Sequence, residues 1–111
     1  MNSTTKIIHV IARVTLKEGQ REAYLKAFHN LVPLVRQESG CIEYGPAIDI
    51  ATGIAGQLVN DNVMTVVEKW ESLEHLRAHL EAPHMKEFAK ENGHMREQRD
   101  LYVMESVQKD L

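Results

Sequence analysis

The chain reads as one α+β domain with a ferredoxin-like element order, β-α-β-β-α-β, on an antiparallel sheet. Three observations predict it. Residues 6–16 alternate: Ile8, Val10, Ala12, Val14 and Leu16 face one way, and Ile7, His9, Ile11, Arg13 and Thr15 the other, the period of a strand. Residues 20–38 carry Tyr24, Ala27, Phe28, Leu31, Val32 and Val35 at helical spacing. Val63, Met64, Val66 and Val67 then lead up to Trp70, and Ser72 follows as a good helix N-cap, so a strand passes straight into a helix.

The other elements follow in order. Residues 1–5 are polar and expected to be loose. Lys17-Glu18-Gly19-Gln20 is a turn, and Pro33 is expected to interrupt and kink the first helix because its nitrogen carries no donor. Ser39-Gly40 ends that helix. Cys41 to Asp49 reads as a second strand, with Gly45-Pro46 as a bend or bulge. Residues 50–62 hold Ile50, Ile54, Leu58 and Val59 among glycines, too apolar for a solvated loop, and are expected to form a short strand or a flap over a pocket. A second helix over about 72–81, a short one over 83–92 closed by Asn92-Gly93, and a last strand over about 98–107 complete the order. Both helices should then cover one sheet face. The other face is expected to keep Ile, Val, Met and Trp, so a homodimer that stacks two sheets is expected.

With 111 residues the chain supports a single core, placed at about 6–107. Net charge is −3 with no basic run, which argues against nucleic-acid binding. One cysteine, Cys41, permits no intrachain disulfide, and no stretch has the length of a signal peptide or membrane span; a cytoplasmic location is the expectation.

Chemistry concentrates where the third strand meets the second helix. The only Trp, Trp70, and Glu68 share a strand face, and three of the six His (His75, His79, His84) follow at once. A histidine titrates near ~6.5 and can take a proton from a flat organic molecule at neutral pH, so His79 or His84 is the candidate base, with Glu68 as its orienting carboxylate. Glu68 on that face must be paired, solvated or protonated, a bridge to Arg13 being the plain alternative. Trp70 serves equally as core or as the wall of a pocket for a flat ligand, and Leu58 of the flap and Met64 are the further candidate walls. His75 and His79 stand i,i+4 but lack a third ligand, so no metal site is expected.

These residues also carry a resemblance. Glu68-x-Trp70-Glu71-Ser72 and His79-x-x-x-Pro83-His84, with Glu38-x-Gly40-Cys41-x-x-Tyr44 upstream, resemble the antibiotic biosynthesis monooxygenase domain over about residues 6–107, and within it the YgiN-type quinol monooxygenases. The resemblance implies a dimeric α+β barrel of two ferredoxin-like subunits. It also implies oxygen chemistry on a reduced, naphthoquinone-type quinol with no flavin, haem or metal as cofactor. Its pocket positions fall on Tyr44, Glu68, Trp70, His79 and His84. Two departures, Ala12 and Ala89, speak against the haem-degrading members. The chemistry implied is removal of a quinol proton by histidine, followed by oxidation of the quinolate by O2. An acid–base isomerase of a small carbonyl compound and a non-catalytic quinone-binding dimer are the alternatives that the same pocket allows.

Overall fold

A computed structural model describes residues 6–107. Within them β1 (Ile8–Leu16), α1 (Arg21–Arg36), β2 (Cys41–Ile48), β3 (Val63–Trp70), α2 (Leu73–Leu80), α3 (Pro83–Asn92) and β4 (Arg96–Glu105) follow one another. A single 3-10 turn, Gly93–Met95, joins α3 to β4. The four strands form one antiparallel sheet in the order β2-β3-β1-β4. This is the ferredoxin-like arrangement, with the second helical segment split at Pro83. The expectation for residues 1–5 lies outside the described residues.

Alternation along β1 decides which face is the core. Ile8, Val10, Ala12, Val14 and Leu16 are buried, and the residues between them are only half-buried. The register places Trp70, Glu68, Val66 and Met64 of β3 on that same face, opposite Ile8, Val10, Ala12 and Val14. Helix α1 covers it with Tyr24, Phe28, Leu31, Val32 and Val35, all buried. That burial, at about 25 cal/mol per Å2 of apolar surface, is what the helix contributes. Ser72 caps α2 by accepting from the His75 backbone N–H, and Pro83 opens α3, where its missing donor costs nothing.

Three expectations change. Helix α1 runs unbroken through Pro33. The carbonyl this leaves unbonded belongs to His29, which like Pro33 is exposed, so water can satisfy it. Residues 50–62 form no strand. Gly53 and Gly56 take positive φ, and the Gln57 side chain bonds Thr52 and the Ile50 carbonyl, so the segment turns on itself instead of pairing with an edge. The last strand starts two residues early, at Arg96, because the 3-10 turn delivers that residue opposite Leu16.

The sheet face away from the helices carries Ile11, Val67, Tyr102 and Met104, paired Ile11–Val67, Ile11–Tyr102 and His9–Met104 across neighbouring strands. Tyr102 and Met104 are exposed in the single chain. Arg13, also on this face, binds both oxygens of Asp49 at 3.1 Å and Thr65 Oγ1 at 2.8 Å. It is therefore not the partner of Glu68, which points the other way.

Candidate active site

Between the helices and the sheet lies a cavity of about 280 Å3. Phe28, Phe88, Met85 and Val66 give it apolar walls, and Tyr44, Glu68 and His79 supply polar groups. Each of these three is placed by its element. Tyr44 and Glu68 face each other across the β2–β3 register. His79 sits in the last turn of α2, only 1 % exposed, and its ring lies 4.6 Å from that of Trp70 and 5.4 Å, edge to face, from that of Tyr44.

The polar contacts form a chain. Glu38, just beyond α1, lies 3.1 Å from His79 Nδ1 through each of its oxygens. His84 Nε2 meets the same carboxylate at 2.5 Å. A carboxylate only accepts, so the proton of neutral His79 is on Nδ1 and the free lone pair on Nε2. That Nε2 is 4.0 Å from Glu68 Oε1, which accepts from Trp70 Nε1 at 3.0 Å.

Burial lowers the His79 pKa, against the opposing pull of Glu38, so the ring is held neutral. Burial raises Glu68 to about 7, with Trp70 and Arg99 offsetting part of the effect. With His79 held neutral, its 4.0 Å approach to Glu68 is not an ion pair but a close placement of two titratable groups on one cavity wall. Burial likewise pushes the Tyr44 phenol up, leaving it a donor. The Cys41 thiol is raised by burial and by the nearby Glu38 and Glu68 carboxylates, which leaves it a poor nucleophile.

Of the residues picked out from sequence, Tyr44, Glu68 and His79 line the cavity. Trp70 backs it, fully buried behind Glu68 and His79. His84 is on the outer side of Glu38 with its side chain 25 % exposed. Met64 is fully buried and does not line the cavity, and Leu58 stands 87 % exposed in the 50–62 segment, away from it. His75 is turned aside, its Nδ1 2.7 Å from Ser72 Oγ. Among the described residues no cluster of three or more His, Cys, Asp or Glu could hold a metal ion.

Glu38 is the residue that sequence reasoning did not place in the site. Its signal was an acid at the C-terminal end of a helix, where the dipole disfavours negative charge and a compensating partner is required. Arg96 and Arg99, which also line the cavity, were not picked out: Arg99 falls inside the stretch read as the last strand and Arg96 just before it, and nothing there singled out its cations.

The sequence model of the antibiotic biosynthesis monooxygenase family matches residues 7–91. "Probable quinol monooxygenase YgiN" of Escherichia coli K12 is 40% identical over 85 residues, covering 75% of this chain and 82% of that protein. Among solved structures, a Pseudomonas aeruginosa protein superposes with a TM-score of 0.80 at 20% identity, over 96% of this chain and 100% of its own. A conserved protein from Methanosarcina mazei does so with a TM-score of 0.77 at 20% identity, over 90% and 92%. At that identity the two structures speak for the fold alone.

Proposed function

The chain belongs to the antibiotic biosynthesis monooxygenase family, and from that premise we propose that it oxidises a reduced, naphthoquinone-type quinol with O2, using His79 as base. The observation that carries this reading is the Glu38-held imidazole: Nδ1 is tied to a carboxylate, and Nε2 is left free in an apolar, aromatic-walled cavity.

The reaction needs little more. Triplet O2 reacts poorly with a closed-shell quinol, whereas the quinolate anion is a far better one-electron donor. His79 Nε2 takes a phenolic proton, and Glu38 stabilises the imidazolium that results. The Tyr44 hydroxyl, kept protonated by burial, donates toward the developing quinolate oxygen. The quinolate passes an electron to O2. The radical pair then yields quinone and reduced oxygen, or joins as an oxygenated product. From His79 the proton has an exit through Glu38 to His84, the member of the chain that reaches solvent. His79 is preferred over His84 as base because only His79 lines the cavity. The working form is a homodimer that buries the Ile11, Val67, Tyr102 and Met104 face of each sheet.

Oxygen uptake with reduced menadione, by chelator-treated protein beside a heat-killed control for autoxidation, tests the reading. Acceleration is expected, with His79→Ala losing about 10²–10⁴-fold and His84→Ala much less. Undiminished uptake by His79→Ala would sink it. Product formed at equal rate without O2 would turn the assignment to an isomerase.

A further inference from the structure

The opposite end of the same cavity says what else the substrate carries, an inference that rests on the quinol reading. Arg96 and Arg99 line it from β4, on the far side of β1 from Glu68, and Lys86 is a further lining cation. Lys86 already has a carboxylate, Glu81, at 3.1 Å. Among the described residues neither Arg96 nor Arg99 has one within ion-pair distance. The only acid among the cavity's lining residues is Glu68, so two guanidinium groups without a carboxylate partner remain there to grip an oxyanion, each with two parallel N–H donors.

Their placement suits a ligand that spans the cavity. Glu68 sits opposite Val10, and Arg99 opposite Val14, on the two sides of β1. The acid–imidazole end and the guanidinium end are thus offset by four residues of strand, roughly 13 Å along β1, and the arginine stems shorten that gap. Phe28 and Phe88, with rings 5.7 Å apart and nearly perpendicular, wall the space between. The arginine field extends into the cavity: Arg96 and Arg99 oppose the burial-driven rise of the Tyr24 phenol, and Arg99 that of Glu68. A volume of about 280 Å3 takes a ligand of one or two fused rings and not a nucleotide-sized one.

We infer that the preferred substrate is a flat aromatic quinol bearing a carboxylate, held by Arg96 and Arg99 at one end of the cavity while its phenolic hydroxyl meets His79 Nε2 at the other. The arginines bind and orient; the proton and electron transfers are those already described.

Redox-inert probes test the binding apart from turnover. 6-Hydroxy-2-naphthoate and 2-naphthol differ only by the carboxylate, which stands at the far end of the ring system from the hydroxyl, and isothermal titration calorimetry on the intact protein compares them. The naphthoate is expected to bind at least tenfold more tightly. The double substitution Arg96→Gln/Arg99→Gln should bring the two probes within about threefold, and Arg96→Lys/Arg99→Lys should restore part of the preference. Equal affinities in the unsubstituted protein, or a preference that survives both glutamines in a protein with unchanged circular dichroism, overturn the inference. Preference for the naphthoate without any O2 uptake from reduced menadione would uphold the anion site and overturn the quinol reading; uptake without preference would do the reverse.

Discussion

Both oxygens of Glu38 lie 3.1 Å from His79 Nδ1, across forty-one residues of chain. Helix α1 ends there, and its acid closes onto the last turn of α2. The polypeptide thus brings a carboxylate from one helix end to fix the tautomer of an imidazole at another. Glu38→Gln replaces a pure acceptor with a group that also donates, so the imidazole loses the charge that stabilises its protonated form. Turnover is expected to fall at least tenfold, within the range general-base catalysis supplies, with KM nearly constant. Steady-state oxygen uptake separates the two parameters; a change in KM alone would show that Glu38 shapes the cavity and not the base.

Glu68 sets a pH dependence of stability. Its folded pKa, raised to about 7 by burial, lies above the unfolded carboxyl value. The folded state therefore binds more protons than the unfolded between those two values, and its stability falls as pH rises through that window, reaching a floor above pH 7. Glu68→Gln removes the penalty. Urea unfolding should find the variant more stable than the parent at pH 8, by up to about 3 kcal/mol, and no different near pH 4.

His79 has the opposite sign. Its folded pKa is lowered, so the unfolded chain binds the extra proton below about pH 6.5. Stability from this group is present above that pH and is lost on acidification. His79→Gln should flatten the acid limb of a pH–Tm curve, measured by circular dichroism. An unchanged acid limb would count against a buried neutral imidazole.

Gly40 has φ +81, and a Cβ there would stand 2.2 Å from the His75 ring. The Gly40 carbonyl also accepts from the Glu71 N–H at 2.9 Å, tying the α1–β2 turn to the start of α2. Gly40→Ala meets both the left-handed backbone cost, about 1–2 kcal/mol, and the clash. A Tm drop of several degrees and reduced turnover are expected, since Glu38 is two residues away.

Tyr102→Glu places a charge on the face of Ile11, Val67 and Met104. If two sheets stack there, sedimentation velocity should show the variant shifted toward monomer with its far-UV spectrum intact. A parent that already sediments as a monomer would remove the dimer from the reading.

The order of elements was legible because the core-facing runs keep their periods: 2 in β1 and β3, 3.6 in α1. The junction at Trp70–Ser72 was legible because a cap residue follows a strand directly. The 50–62 segment was misread from its apolar content, since hydrogen bonds from Gln57 to its own loop outweigh any pairing with a strand edge. In the site, residues next to the junction could be picked out, whereas Arg96 and Arg99 could not, and Glu38 was marked only as an acid at a helix end in want of a partner. They reach the cavity through the closure of α1 on α2 and the pairing of β4 with β1, which are long-range events that local spacing does not encode.

The contact between Trp70 and His79, ring centres 4.6 Å apart, has a spectroscopic consequence. The chain has one Trp, so all indole emission comes from beside the proposed base. A protonated imidazole quenches indole fluorescence by accepting an electron from its excited state, and a neutral one does so far less. In a Glu68→Gln background, which removes the carboxylate that bonds the same indole, emission intensity plotted against pH therefore traces the charge on His79 in the resting protein, and stopped-flow emission after mixing with a quinol would follow the arrival of its proton in real time, with no label added.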